Sequence, residues 1–205
     1  MSTSTNRRQA SFSGKLPPAK AKNADVRPRE YLTDKEVDRL MKAASKVGRH
    51  RHRDSSIILV AYRHGLRVSE LIDLQWNVVE LDQGRMQISR VKDDLPSVHP
   101  IRGPEIRALR RLKREYPSSP YVFVTERKGP LTASAVRKMI ARAGEKANFD
   151  FPVHPHMLRH ATGYKLANDG HDTRAIQQYL GHKNIQHTVR YTELASTRFQ
   201  GFWND

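Results

Sequence analysis

His154-Pro155-His156-Met157-Leu158-Arg159-His160, then Leu180-Gly181-His182, then Tyr191 nine positions on, is the run of residues that decides how this chain is read. Proline favours the first turn of a helix, so His156 and Arg159 fall three apart on one face near a helix start. Unpaired N–H groups and the helix dipole favour an anion there, and a phosphate would meet imidazole, guanidinium and amide donors together. His182 follows a Leu-Gly pair that stops a helix and aims the next side chain away from its end. Tyr191 then supplies a hydroxyl. Taken singly these residues are bland: a Tyr near a C-terminus is usually packing, and a His after a Gly is usually a solvated cap. Together they suit attack on a phosphodiester, with Arg balancing phosphoryl charge, the histidines donating hydrogen bonds or moving protons, and Tyr as nucleophile.

A zinc site is the competing reading. His156 and His160 stand i, i+4, as in His-Glu-x-x-His, and His154 adds an imidazole. The residue after His156 is Met157 rather than the Glu that serves as general base, and Arg159 would oppose a cation. No metal ligand is assigned.

Composition points to the same chemistry. The 205 residues carry 37 Lys+Arg against 21 Asp+Glu, a net charge of +16, which calls for a polyanionic partner, foremost nucleic acid. The absence of cysteine excludes disulfides, thiolate metal sites and thiol catalysis. No apolar run approaches the ~20 residues that span a bilayer, and no apolar stretch follows Arg7-Arg8 as it would in a secretory signal. The expectation is a cytoplasmic protein on the nucleoid, without membrane contact.

Local signals outline the elements. Residues 1–30, rich in Ser, Thr, Pro, Lys and Arg, read as a flexible basic arm. Thr33 and Glu36 form a capping box ahead of Val37, Leu40, Met41 and Ala44. Asp54 is expected to start a second helix that Gly65 ends, with another through Val68–Leu74. Residues 85–89 and 97–101 alternate around the turn-like 92–96 and predict a hairpin, with a third strand near Val78–Leu81. Pro104 opens a helix through Leu112, and Tyr121–Val124 is a short buried piece. Thr132 caps a helix to about Asn148, Pro155 begins one ending near Gly170, Asp172 or Thr173 caps the next, and Asn184 caps the last, which bears Tyr191. The fold is mainly α with a small antiparallel β-sheet, in one domain over 31–205.

These pieces resemble the tyrosine recombinases, or phage-type integrases, and among them the short bacterial members that invert DNA in fimbrial phase variation. The likeness spans about residues 30–203. It rests on His64-Gly65-Leu66-Arg67-Val68-Ser69-Glu70-Leu71, the hairpin with Lys92, His156–His160, Leu180-Gly181-His182 with Tyr191, the stretch from Leu166 to Gln177, and Arg198-Phe199-x-Gly201-x-Trp203. The resemblance implies the tyrosine recombinase catalytic-domain fold and a role for each matching residue. Arg67 and Arg159 match the two catalytic arginines that neutralise the scissile phosphate. Glu70 matches the acid that buttresses Arg67, and Lys92 the general acid for the leaving 5′-oxygen. His156 matches a proton acceptor or positioning group, His182 a phosphate hydrogen bonder, and Tyr191 the nucleophile that forms a 3′-phosphotyrosine. No cofactor is implied, neither metal nor ATP, because the ester stores the bond energy. The implied partners are double-stranded DNA, three further copies in a homotetramer on paired sites, and DNA-bending accessory proteins. Inversion between inverted repeats is the expected outcome, with integration or excision beside it. A non-catalytic DNA-binding regulator and a type IB topoisomerase-like enzyme are the competing classes.

Two features depart from the family pattern. Only the basic arm precedes the catalytic part, where typical members carry an N-terminal core-binding domain. Asp93 and Asp94 follow Lys92, so the loop must pair the acids with Lys92 or turn them from the phosphate. The aromatic tail Phe199–Trp203 is expected to pack on its own core or to dock on a neighbouring subunit.

Overall fold

The computed structural model describes residues 29–89, 97–195 and 198–199. Lys92, the arm through residue 28 and most of the aromatic tail lie outside the described residues. Within them the chain is mainly helical. The helices are α1 (Asp34–Ala44), α2 (Arg51–His64), α3 (Val68–Ile72), α4 (Gly103–Glu115), α5 (Ala133–Lys146), α6 (Pro155–Asn168), α7 (Thr173–Leu180) and α8 (Gln186–Glu193). A short 3-10 turn, Trp76–Val78, leads into β1 (Val79–Glu80), followed by β2 (Arg85–Ile88) and β3 (Ser97–Pro100). No helix among the described residues is long and apolar enough to cross a membrane.

Most boundaries follow the local chemistry. Thr33 and Glu36 close the capping box of α1, with the Thr33 N–H donating to Glu36 Oε2 at 2.8 Å. Thr132 caps α5, and Asp172 caps α7 by accepting from the N–H groups of Arg174 and Ala175. Two boundaries differ from expectation. Helix α2 begins at Arg51, three residues before Asp54, and its N-cap His50 makes no side-chain cap bond. Helix α8 has Ile185 as N-cap, while Asn184 sits one residue earlier and accepts from Gln186 N–H at 2.9 Å. Ordered packing also begins sooner than residue 31. Arg29 forks onto Glu36 at 2.7 and 2.8 Å, and Glu30 pairs with Arg190 of α8.

The three strands form an antiparallel sheet in the order β1-β2-β3, with Met86 opposite His99 and Ile88 opposite Ser97. Met86, Ile88 and His99 turn inward, while Arg85, Gln87 and Val98 face outward, the period-2 alternation of a half-buried sheet. The main core joins Leu40, Ile58, Leu109, Leu112, Phe123, Ile140, Met157 and Leu158 from α1, α2, α4, α5, α6 and the segment before α5. A second cluster holds Tyr164, Ala167, Ile176, Leu180 and Tyr191, from α6, α7 and α8. The catalytic candidates lie around the junction of these two clusters.

The sheet is fastened to the helices by polar groups. His64 Nε2 of α2 lies 2.6 Å from Glu105 Oε1 of α4, and His64 Nδ1 lies 3.1 Å from His99 Nδ1 of β3. Glu105 Oε2 also accepts from the Arg102 N–H at 3.1 Å, and the His99 ring stacks on Tyr179 of α7 at 3.9 Å. His64, His99 and Glu105 are all buried, so each lost partner strands a desolvated polar group. Glu105→Ala is expected to cost about 3 kcal/mol in urea unfolding, and Glu105→Gln clearly less because its amide oxygen still accepts. Negligible losses in both variants would show that the carboxylate's bonds do not hold this junction.

Candidate active site

Two helix ends build the site. Helices α2 and α7 each stop in a glycine with left-handed backbone, Gly65 at φ 58° and Gly181 at φ 62°. Both use the same closing pattern. Leu66 N–H bonds Ala61 O and Gly65 N–H bonds Tyr62 O, while His182 N–H bonds Gln177 O and Gly181 N–H bonds Gln178 O. This pattern reverses the chain sharply, and Arg67 and His182 emerge directly after the two turns.

Arg159 of α6 ties the ends together. Its guanidinium donates to Gly65 O at 2.5 Å and to Leu180 O at 2.6 Å, and the residue is only 2% exposed. Arg67 joins from the other side, donating to Gly181 O at 3.0 Å. Glu70 holds Arg67 with both oxygens, accepting from its guanidinium at 2.7 Å and from its backbone N–H at 2.9 Å. The Glu70 side chain is buried and that of Arg67 is one-third exposed, so the acid lies inward and the guanidinium reaches the surface. Arg67, Arg137, His154 and His156 line one open cleft. The sequence-derived pair Arg67 and Glu70 is therefore a fixed fork rather than a loose surface pair.

The histidines and the tyrosine occupy the other side of Arg159. His182 Nδ1 lies 2.8 Å from the buried Thr188 hydroxyl. Burial, followed by Arg159 and Arg67, pushes the His182 pKa down to about 3, so its ring is neutral near pH 7. If Thr188 donates to Nδ1, the ring proton sits on Nε2, ready to donate to an anion. Tyr191 is 1% exposed. Its ring lies edge-on to Tyr164 at 4.9 Å and 6.1 Å from the His182 ring. A Cβ on Gly163 would fall 2.5 Å from Tyr191 Cε2, so the absent side chain makes the seat for the ring. The hydroxyl meets His160 Nδ1 at 2.8 Å, and burial raises its pKa to about 12. The whole residue, hydroxyl included, is shielded from solvent.

The structure thus brings Arg67, Glu70, Arg159, His182 and Tyr191 together, with His156 on the cleft beside Arg67. Lys92 belongs to the segment joining β2 to β3, outside the described residues. Three contributors were not singled out from sequence. His160 lay within the quoted motif but was weighed only as a metal ligand, Gly163 was visible as a lone glycine inside a helix, and Thr188 gave no signal. Among the described residues no three His, Asp or Glu side chains are grouped as metal ligands are.

Comparison with known proteins agrees with this geometry. Residues 30–198 match the phage integrase family. The chain belongs to that family. It is 44% identical over 181 residues to the type 1 fimbriae regulatory protein FimE of Escherichia coli K12, covering 85% of this chain and 91% of that one. FimB of the same strain is 38% identical over 186 residues, covering 88% and 92%. Among solved structures, the XerA recombinase superposes with a TM-score of 0.72 at 29% identity, over 85% of this chain and 64% of that one. XerH bound to its difH substrate before cleavage gives 0.69 at 22% identity, over 84% and 53%, and supports the fold alone. The chain spans just over half to about two-thirds of those two solved chains. Family and relatives make it a tyrosine-type site-specific recombinase with the catalytic-domain fold of that class.

Two outcomes follow from the geometry. Gly163→Ala is expected to destabilise the protein by about 1–3 kcal/mol through overpacking, although Ala is the better helix former by about 1 kcal/mol. Urea melts of Gly163→Ala, Tyr191→Ala and the double variant read the coupling, which vanishes if the ring does not rest on Gly163. The second outcome concerns acid. His160, at about 4, and His182, at about 3, both titrate below their ordinary 6.5. The unfolded chain therefore binds protons that the fold refuses between those values, and stability falls as pH drops from 6.5 towards 3. Above pH 6.5 both states are neutral at these rings and their contribution is flat. Replacing both histidines with Gln should flatten that acid limb in pH-dependent unfolding, and an unchanged limb would assign it to other groups.

Proposed function

We propose that this chain cuts and rejoins double-stranded DNA at a specific site through a 3′-phosphotyrosine on Tyr191, and that its product is inversion of a segment between inverted repeats. The observation that carries the reading is the convergence of Arg67, Arg159, His182 and Tyr191 from four stretches of chain around two helix ends. Arg67 and Arg159 balance the two non-bridging oxygens as the phosphorus becomes pentavalent, and their fixed anchors keep them oriented before DNA arrives. Glu70 positions Arg67. His182 donates to a phosphoryl oxygen from Nε2, and His156 approaches from the cleft beside Arg67. The Tyr191 oxygen bonds to phosphorus as the bond to the 5′-oxygen breaks, and Lys92 protonates that leaving oxygen. The freed 5′-hydroxyl of a partner strand later attacks the phosphotyrosine and restores the tyrosine.

The likeness to FimE and FimB, both named as type 1 fimbriae regulatory proteins, supports inversion with a regulatory outcome. A net charge of +16 supports a DNA partner. The reading includes a homotetramer on paired sites, DNA-bending accessory proteins, a basic arm along phosphates ahead of the catalytic domain, and a place on the nucleoid in the cytoplasm. The test is to overproduce the wild type, and separately Tyr191→Phe, in the native host and read the genome with long reads. Inversions between paired repeats are expected with the wild type alone. Rearrangement with both proteins would remove Tyr191 from its role, and occupancy of DNA without rearrangement would favour a non-catalytic regulator.

A further inference from the structure

We propose that His160, rather than His156, takes the proton from the Tyr191 hydroxyl as that oxygen attacks the scissile phosphorus. The proposal rests on the reading of Tyr191 as nucleophile and adds a catalytic residue to it.

Geometry carries the argument. The side-chain partner of the Tyr191 hydroxyl is His160 Nδ1, at 2.8 Å. His156 lies one turn earlier on α6 and stacks on the His160 ring with centroids 5.2 Å apart. It faces the cleft beside Arg67, where it can serve the phosphate. The contact is built into one rigid element. Positions i, i+3 and i+4 of a helix share a face, so His160, Gly163 and Tyr164 form a continuous seat. Gly163 admits the Tyr191 ring and Tyr164 meets it edge-on at 4.9 Å. A ring resting on Gly163 therefore delivers its hydroxyl to His160. Arg159, the buried phosphate ligand of the proposed reaction, is the adjacent residue on the same helix, so base and anion site cannot drift apart.

The protonation states are consistent with this role. The charged or titratable groups around the pair are His156, Arg159 and Tyr164 on α6, Arg190 on α8, Glu30 ahead of α1, and His182 after α7. Burial first, then His156, Arg190 and Arg159, hold His160 at about 4 against the opposing pull of Glu30. The ring is thus neutral near pH 7 and able to accept. With Tyr191 at about 12, the resting proton stays on the tyrosine by a wide margin. A DNA phosphate changes both sides. Its charge favours protonated His160, and as the new O–P bond forms the phenolic O–H becomes strongly acidic. The proton then moves to Nδ1, the P–O5′ electron pair leaves with the 5′-oxygen, and religation returns the proton by the reverse path.

The experiment uses a duplex bearing the repeat at which long reads map inversion, nicked so that a cleaved strand diffuses away. Covalent complex formation is timed between pH 6.5 and 9.5 for the wild type, His160→Ala, His160→Asn and Tyr191→Phe. Asn can place an oxygen near the Nδ1 position and keep the hydroxyl bonded, but it cannot take a proton. Wild-type cleavage is expected to vary little with pH. Both His160 variants should be slower by roughly 10²–10⁴ at pH 7 and should gain about tenfold per pH unit as tyrosinate accumulates. His160→Asn cleaving at the wild-type rate with a flat profile would overturn the proposal. Covalent attachment by Tyr191→Phe would instead overturn the nucleophile reading, whatever His160 does. A measurement without DNA stands beside this one. Ring ¹⁵N spectra of the free protein at pH 7 should show the His160 proton on Nε2, leaving Nδ1 as acceptor, and a proton on Nδ1 would sink the assignment.

Discussion

A single buried guanidinium organises the catalytic end of this molecule. Arg159 is charged, nearly inaccessible and bonded to the carbonyls of Gly65 and Leu180 at the ends of two helices. A helix C-terminus presents unpaired carbonyls and the negative end of the dipole, so two such ends offer a buried cation part of what water would. The arrangement fixes more than Arg159. The glycine turns that expose these carbonyls also set where Arg67 and His182 leave their helices. Arg67 then closes the figure through Gly181 O and Glu70. A shift of either helix end would move both arginines and the second histidine together.

Tyr191 is placed by packing instead. Tyr191 belongs to the smaller apolar cluster of Tyr164, Ala167, Ile176 and Leu180, and Leu180 also supplies a carbonyl to Arg159. The cluster and the arginine anchor therefore share a residue, and α8 is registered against both. The chain entering α1 is tied to the same region. Glu30 pairs with Arg190, the neighbour of Tyr191, and the Tyr31 ring meets that of Tyr164 at a tilt, with centroids 4.1 Å apart.

What could be read in the sequence was what is local. The Thr33 capping box, the stops at Gly65 and Gly181, the start of α6 at Pro155 and the alternation of β2 and β3 each lie within a few residues of their cause. The start of α2 was missed because His50 lacks a cap bond, leaving nothing ahead of Arg51 to read. The partners of Arg159 were hidden for another reason: they are backbone carbonyls 94 and 21 residues away, and no residue type encodes a free carbonyl. His160 was in plain view, yet adjacent positions on a helix point in different directions, so its place beside Arg159 in the motif said nothing about Tyr191. The link from His64 to His99 and Glu105 joins positions 35 and 41 residues apart and has no local signature.

Tyr191 rests covered and protonated in this pocket. Burial raises the phenol, and it lowers His160 and His182, with nearby arginines pushing the same way on both histidines. Burial is the largest cause of all three displacements, and the arginines that add to it at the histidines oppose it at Tyr191. The negative charge of a phosphate would let the two histidines hold a proton more readily but would raise the Tyr191 phenol further, so proton removal from the tyrosine needs a base beside it.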